Sequence, residues 1–137
     1  MLKVEFLYYD KTTCRRCIST DKSLKLTLKE LKEAIKNTKV KIDFKEKKLP
    51  KSKICLSPSI LINGKDVEKL VSKNSKLKSN ACSDCCQSTG HPVNCRTFSY
   101  RGKSYDYIPK GIIMEAIKVV LRKQQIKIKR SLLLPKQ

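Results

Sequence analysis

Cysteines are the residues of this sequence best suited to chemistry, and the chain of 137 residues contains seven of them. The first two, Cys14 and Cys17, are separated only by Arg15 and Arg16. Two intervening residues let the sulfurs approach within disulfide distance if the chain turns there. The spacing therefore predicts reversible dithiol redox chemistry or capture of a soft metal ion, with two reduced structural thiols as the alternative.

The two arginines are the groups that we expect to activate a thiol in this motif. Lowering a thiol pKa from about 8.5 to about 7 takes about 2 kcal/mol. A helix N-terminus supplies about 0.3 to 1 kcal/mol, and each partly exposed arginine supplies a similar amount. The clear helical pattern begins only near Asp21, so Arg15 and Arg16 are expected to carry most of the activation.

A second group of thiols, Cys82, Cys85 and Cys86, is followed by His91 and Cys95. The Cys-x2-Cys spacing lets two thiolates bind one ion from a tight turn, and tetrahedral zinc needs four N or S donors. Cys82, Cys85 and Cys95 with either Cys86 or His91 would complete a structural zinc site. Three thiolates without a fourth ligand suit arsenite, mercury or copper(I) instead. A disulfide or redox relay and incidental thiols are the remaining alternatives.

Cys55 and Pro58 lie between these two groups. Cys55 stands apart from the other thiols and is interpreted as a small buried hydrophobic residue. Pro58 follows Ser57 just before an apolar run, where a proline is able to adopt the cis form. Composition alone does not establish which isomer is present.

The first third of the chain has the pattern of a β-α-β unit. Residues 2–9 are apolar on both alternating faces, which predicts a strand buried on both sides. A helix is expected between Asp21 and Asn37, capped by Asp21 or Thr20, because apolar residues recur there at helical spacing. Residues 39–47 alternate as in a half-buried strand, so the two strands are predicted to pair in parallel. The helical apolar positions are Leu24, Leu28, Leu31 and Ile35.

The rest of the chain indicates two hairpins and a closing helix. Ser59–Ile62 leads into Asn63-Gly64, the strongest short hairpin signal, and Lys65 to Val67 are expected to return. Residues 97–108 suggest a second hairpin around Arg101-Gly102. Pro109 stands where a final helix would begin, and the residues after it form one apolar stripe. Residues 48–57 are expected to be a connection.

The length fits one domain, which we place at residues 1–125. Residues 72–96 are assigned as a Cys-rich loop insertion within it, and residues 72–90 are the least ordered segment by composition. A basic C-terminal tail at residues 126–137 follows the domain.

The charge of the chain is strongly positive, with 32 Lys+Arg against 12 Asp+Glu and a formal net charge of +20. Such a surface attracts nucleic acid non-specifically, but the lysines are spread along the chain and no nucleic-acid-binding signature is present. No apolar stretch is long enough for a bilayer span, so no membrane partner is expected. The N-terminal residues lack the pattern of an export signal, which favours the cytoplasm.

The order of strand, Cys-x2-Cys, helix, parallel strand, Ser-Pro, hairpin and closing helix resembles the thioredoxin fold. More closely, YYDKTTCRRC, SPSILINGKDVE and CSDCCQSTGHPVNCRTFSYRGKSYDYIP are similar to an uncharacterised thioredoxin-like family of bacterial and archaeal proteins. The resemblance covers residues 3–122 and implies an α/β, thioredoxin-like fold. It also implies that Cys14 is an exposed attacking thiol, that Cys17 is the resolving thiol, and that Pro58 faces them.

Two functions follow as hypotheses. In the first, the protein is a thiol-disulfide oxidoreductase in which Cys14 attacks a substrate disulfide and Cys17 resolves the mixed disulfide. The expected partner is a protein disulfide or a small thiol. A Cys17→Ser variant is then expected to retain the mixed disulfide. In the second, the protein binds a metal or metalloid, zinc or another thiophilic ion, through Cys82, Cys85, Cys86 and Cys95. No other cofactor is predicted.

Overall fold

The computed structural model of the protein describes residues 1–72, 78–82 and 94–124. These described residues form two β-sheets together with helices, so the predicted α/β class is confirmed. The strands are β1 (Leu2–Tyr8), β2 (Ile42–Lys48), β3 (Ser59–Ile62), β4 (Lys65–Asp66), β5 (Lys78–Ala81), β6 (Asn94–Tyr100) and β7 (Lys103–Tyr105). The helices are α1 (Arg15–Ile35), α2 (Val67–Val71) and α3 (Lys110–Lys123), with a short 3-10 helix at Lys51–Leu56.

The first sheet has the strand order β2-β1-β3-β4. β1 pairs in parallel with β2 across α1, as the β-α-β pattern predicts, and pairs antiparallel with β3 on its other side. β1 is fully buried on one face only, because Leu2, Val4 and Phe6 lie in the core while Lys3 is exposed. The prediction that β1 is buried on both sides is therefore wrong.

Both predicted hairpins are present, and each turns through two residues with positive φ. Asn63 and Gly64 have φ of 50° and 82°, and Arg101 and Gly102 have φ of 52° and 79°. Two successive residues of this kind match the twist of a two-residue hairpin, and glycine adopts the second position at little steric cost. The first hairpin returns for only two residues, and Val67 begins α2, which the sequence did not predict.

Helix α1 begins earlier than predicted. Its first residue is Arg15 and its N-cap is Cys14, so the predicted caps at Thr20 and Asp21 are wrong. Cys17 and Thr20 are both buried and continue the apolar stripe toward the N-terminus. The period from Leu24 onward could not show this extension, because the first turns bury a thiol and a hydroxyl rather than aliphatic groups.

The predicted final helix is confirmed as α3, with Pro109 as its N-cap. α3 packs against α1 and α2, and its apolar stripe closes the main hydrophobic core with β1 and β3. Within the described part of the chain, no helix is long and apolar enough to cross a membrane. The largest fully buried apolar residues of this core are Leu2, Phe6, Leu24, Leu31, Ile60, Ile62, Phe98, Ile108, Ile112, Ile113 and Ile117.

The second sheet has the strand order β5-β6-β7. Its strands change the predicted assignment of residues 72–96 as a Cys-rich loop. Residues 72–96 are not loop throughout, because β5 lies inside this segment and β6 begins at Asn94. β5 is exposed and polar, so its composition shows no strand pattern; it forms by antiparallel pairing with β6. The predicted basic tail at residues 126–137 lies outside the described residues.

Candidate functional site

Cys14 is positioned by a tight turn that ends β1 and starts α1. The Asp10 carboxylate accepts hydrogen bonds from the backbone amides of Thr12, at 2.8 Å, and Thr13, at 3.1 Å, and from both hydroxyls. Burial would raise the pKa of Asp10, but the hydrogen bonds from Thr13 and Thr12 outweigh it and hold this pKa well below its usual 3.8. The turn delivers Cys14 to the N-cap of α1.

Cys17 lies in the first turn of α1 and contacts two polar groups. Its Sγ atom is 3.1 Å from Ser57 Oγ, which also accepts a hydrogen bond from the Tyr9 amide at 3.0 Å. The hydrogen bond with the Cys14 thiol, reinforced by burial, raises the pKa of Cys17 well above its usual 9.0. The peptide bond from Ser57 to Pro58 is cis, and Pro58 is buried.

The expectation of an exposed Cys14 is wrong. Cys14 and Cys17 both have 0% exposure. The cause is the second sheet: Cys82, at the end of β5, and Cys95, in β6, lie against the motif and exclude water from it. Such a cover comes from chain distant in sequence, so the local Cys-x2-Cys pattern gave no sign of it.

The two groups of thiols that appear separate in the sequence meet in one buried cluster, hereafter the thiol cluster. It contains Cys14, Cys17, Cys82 and Cys95, packed with Ile54. The Cys14 and Cys82 Sγ atoms are 3.9 Å apart, and no disulfide bond joins any two of these four cysteines. The partly buried rings of Tyr8 and Tyr9 also pack against it.

Arg16 ties the second sheet to α1. Its guanidinium is buried, with 8% exposure, and donates to the carbonyl oxygens of Ala81, Cys95 and Arg96 at 2.9 to 3.2 Å. It also donates to Oδ1 of Asn80. Arg16 thus binds backbone next to Cys82 and Cys95 rather than a thiolate, and Arg15 is exposed. We predicted that both arginines mainly activate a thiol. The contacts of Arg16 do not agree with this prediction.

Arg96 forms a second buried network behind the thiol cluster. Its guanidinium makes a paired contact with the Asp66 carboxylate, at 2.6 and 3.2 Å, and lies 3.5 Å from Glu68. It also donates to Ser59 Oγ at 2.8 Å, while its backbone amide donates to Ser57 O at 3.0 Å. The network holds β6 beside the Ser57-Pro58 bond.

The predicted metal ligands are only partly described. Cys82 and Cys95 lie in the thiol cluster, whereas Cys85, Cys86 and His91 fall outside the described residues. Among residues 1–72, 78–82 and 94–124, no group of three or more His, Cys, Asp or Glu side chains is arranged to hold a metal ion. The metal site thus stays a prediction.

Cys55 is exposed, so its interpretation as a buried residue is wrong. It lies in the 3-10 helix, where its neighbour Ile54 turns inward and Cys55 faces solvent. This exposed thiol provides a natural control for the buried ones.

Two residues of the site, Ser57 and Arg96, were missed from the sequence, and Arg16 was given a role in thiol activation that its contacts do not show. Arginine is rarely fully buried, and composition treats it as surface charge. Arg96 is recognised as an interior residue because consecutive residues of β6 are buried. This burial is seen in the structure and not in the sequence. Ser57 had one signal, its position directly before Pro58.

The raised pKa of Cys17 predicts a loss of stability at alkaline pH. The folded protein holds the Cys17 proton more tightly than the unfolded chain, so stability falls as the pH rises above the usual thiol pKa of 9.0. The slope from this group is up to about 1.4 kcal/mol per pH unit. We expect the stability advantage of wild type over Cys17→Ala to shrink between about pH 8 and about pH 10.5.

The measurement is urea unfolding of both proteins at each pH with a reductant present. Comparing the two proteins cancels the deprotonation of lysines, which is common to both. A difference in unfolding free energy that stays constant over this range would show that the pKa of Cys17 is normal.

One family model matches most of the chain. The model is described as Domain of unknown function (DUF2703) and covers residues 2–117. It includes every described residue of the thiol cluster. No curated protein and no solved structure matches the chain.

Proposed function

The chain belongs to the DUF2703 family, a domain of unknown function, and on that premise we propose that it performs thiol-disulfide exchange at Cys14 and Cys17. The family carries no activity with it, so the proposal depends on the site. The observation that carries it is the position of two buried thiols at the N-terminus of α1, with Cys14 at the N-cap and Cys17 in the first turn, 3.1 Å from Ser57 Oγ.

The positions of the two sulfurs on α1 support different roles for them. The pKa of Cys17 is raised by its hydrogen bond with Cys14, so Cys17 keeps its proton at neutral pH. A negative charge on the pair then resides on Cys14, at the N-cap position, where the helix dipole favours an anion. Cys14 is therefore the nucleophile and Cys17 the resolving thiol.

The topology supports a thioredoxin-like fold for this chain. A parallel β-α-β unit is followed by an antiparallel hairpin and a closing helix, in the strand order β2-β1-β3-β4. Cys14 lies between β1 and α1, Cys17 lies in the first turn of α1, and Ser57-Pro58 directly precedes β3, with Ser57 Oγ 3.1 Å from Cys17 Sγ. These are the features from which the resemblance to thioredoxin was drawn in the sequence.

In the reaction, the Cys14 thiolate attacks one sulfur of a substrate disulfide and forms a mixed disulfide. The other substrate sulfur leaves as a thiolate and takes a proton from water. Cys17 then loses its proton and attacks Cys14 Sγ, so the mixed disulfide breaks and a Cys14–Cys17 disulfide forms. The second substrate sulfur leaves and accepts that proton. The substrate gains two electrons, and the dithiol loses them.

The buried position of Cys14 requires an opening step before this attack. The cover next to Cys14 includes Cys82 at the end of β5, a short exposed strand paired only with β6 in the described structure. Opening this end of β5 breaks the hydrogen bonds from Arg16 to Asn80 and Ala81, but it exposes little apolar area, so it costs less free energy than unfolding the whole chain. We propose that substrate reaches Cys14 when this end of β5 moves away.

Replacing the nucleophile tests this function. Cys14→Ser is expected to lower the rate of reduction of a fluorogenic glutathione disulfide by at least about 100-fold, since serine cannot form the mixed disulfide. Stopped-flow fluorescence with pre-reduced protein measures the rate. Cys55→Ser, which removes the exposed cysteine, is the matched control and should leave the rate unchanged. Equal rates for wild type and Cys14→Ser would refute the proposal.

Metal or metalloid binding remains the second candidate, because two predicted ligands, Cys82 and Cys95, are buried together in the thiol cluster. Protein purified under reducing conditions would contain about one equivalent of metal per chain if a structural site closes. Elemental analysis with thiol counting makes the distinction. The dithiol function requires no bound metal.

We also propose a cytoplasmic location and no partner beyond the disulfide substrate. A dithiol that reduces disulfides needs a compartment that keeps its thiols reduced, and the cytoplasm is such a compartment. The net charge of +20 would attract nucleic acid without sequence preference, and such binding would weaken steeply with salt.

A further inference from the structure

We propose that Cys82 is a second resolving thiol, which accepts the disulfide that forms at Cys14. The inference builds on the proposed exchange at Cys14 and Cys17 and adds a route by which the oxidised sulfur of Cys14 passes to the second sheet. A single attacking thiol would thus serve two resolving thiols that lie on different elements of the fold.

The first observation is the distance. Cys14 and Cys82 are 68 positions apart in sequence, yet their Sγ atoms are 3.9 Å apart. A disulfide bond is about 2.05 Å long, so the sulfurs must approach by about 2 Å, a movement of the size that side-chain rotation supplies. Both residues are buried, with 0% and 3% exposure, so bulk water does not lie between the two sulfurs.

The second observation is that this proximity is held by hydrogen bonds rather than by apolar packing alone. Cys82 directly follows β5, and the last carbonyl of β5, that of Ala81, accepts a hydrogen bond from Arg16 at 2.9 Å. Arg16 is the second residue of α1, two positions after Cys14. One buried guanidinium therefore connects the element carrying Cys82 to the helix capped by Cys14.

The third observation is that Cys14 lies between two thiols. Cys17 lies three residues after it in the first turn of α1, and Cys82 contacts it from the second sheet. A buried cysteine serving only as a small apolar side chain could pack against any aliphatic neighbour. The Cys82 sulfur instead contacts the sulfur of the proposed nucleophile, Cys14, so the two are positioned for thiol-disulfide exchange.

The proposed step is an exchange with no net oxidation. After the dithiol has reduced a substrate, Cys14 and Cys17 form a disulfide. The Cys82 thiol loses its proton and attacks Cys14 Sγ; the Cys14–Cys17 bond breaks and a Cys14–Cys82 bond forms. Cys17 leaves as a thiolate and takes up the proton that Cys82 lost. The number of disulfides stays constant, and only their position in the chain changes.

The same attack can resolve a mixed disulfide directly. If Cys14 is linked to a substrate thiol, attack by Cys82 forms the Cys14–Cys82 bond and releases that thiol. In a Cys17→Ser variant Cys82 is still able to resolve the mixed disulfide by this route, so the mixed disulfide expected for that variant should be short-lived. Removing Cys82 as well should preserve it.

The experiment uses oxidised glutathione as the disulfide and compares Cys17→Ser with Cys17→Ser/Cys82→Ser, with Cys17→Ser/Cys55→Ser as the control. Intact-protein mass spectrometry after acid quenching follows the glutathione adduct on Cys14. We expect the adduct to decay at least about tenfold faster when Cys82 is present, because the attacking thiol is already held nearby. The Cys55 control should decay like Cys17→Ser.

Peptide mapping of oxidised wild-type protein supplies a second measurement that does not depend on the folding of any variant. We expect a peptide that joins Cys14 to Cys82. Its absence, or a link from Cys14 to another thiol of the second group in its place, would overturn the assignment of Cys82. Equal adduct lifetimes with and without Cys82 would also overturn it.

The outcomes separate this inference from the proposed function. If Cys14 forms the adduct and Cys82 has no effect on its decay, exchange at Cys14 and Cys17 stands and the role of Cys82 is refuted. If Cys14 forms no adduct in any of these proteins, the proposed function itself is refuted. Accumulation of the adduct only in the variant that lacks both Cys17 and Cys82 supports both.

Discussion

Arg96→Leu is expected to lower the free energy of unfolding by about 3 to 5 kcal/mol, because it leaves buried carboxylates without their partner. The Arg96 side chain is only 2% exposed, and Asp66 and Glu68, which it contacts, are 16% and 6% exposed. Leucine fills part of the volume but supplies no positive charge. It also removes the packing of the guanidinium on the Phe98 ring, where their centres are 4.6 Å apart.

Urea unfolding under reducing conditions measures this effect. Arg122→Leu is the matched control, since Arg122 is exposed in the last turn of α3, and a surface change of this kind is expected to stay within about 0.5 kcal/mol. A result for Arg96→Leu as small as that of the control would contradict the buried network. Replacing Asp66 and Glu68 by their amides in the Arg96→Leu background should recover part of the loss.

Arg16→Leu is expected to lower the free energy of unfolding by about 2 to 4 kcal/mol, because hydrogen bonds from a charged donor to buried carbonyls are lost. The affected carbonyls belong to Ala81, Cys95 and Arg96. Since these groups hold β5 and β6 against α1, the change should also separate Cys82 from Cys14. Formation of the Cys14–Cys82 disulfide should therefore slow in this variant.

Arg15→Leu is the control at the adjacent position, where the side chain is exposed. It carries the same loss of charge and the same place at the start of α1. We expect it to have a much smaller effect on stability and on crosslinking. Equal effects for the two variants would show that charge at the helix start matters, and that the contacts of Arg16 with the second sheet do not.

The Cys-x2-Cys motif shows how far local spacing reaches. The pattern correctly placed Cys14 between a strand and a helix, but it also placed Cys17 before the helix, whereas Cys17 lies in the first turn of α1. The exposure of Cys14 was predicted incorrectly, because its cover comes from Cys82 and Cys95. Contacts across such separations depend on how sheets pack, and spacing within a motif carries no information about that packing.

The pairing of two neighbouring strands was predictable where a short turn between them fixes how they meet. The short turns at Asn63-Gly64 and Arg101-Gly102 use residues suited to positive φ, so the hairpins were visible in the sequence. β5 was not, because its residues are polar and exposed, and it pairs with β6 through backbone hydrogen bonds. A strand without an apolar face leaves no periodic pattern.

From the sequence alone came the α/β class, the β-α-β start, the closing helix and the two sets of thiols, since each depends on apolar period, turn residues or short spacing. Tertiary structure alone decided that Cys14 and Cys82 meet, that Arg16 and Arg96 are buried, and that Cys55 faces solvent. The physical reason is that burial and hydrogen bonding are decided only when the chain packs. An arginine can then donate to backbone carbonyls that are distant from it in the sequence.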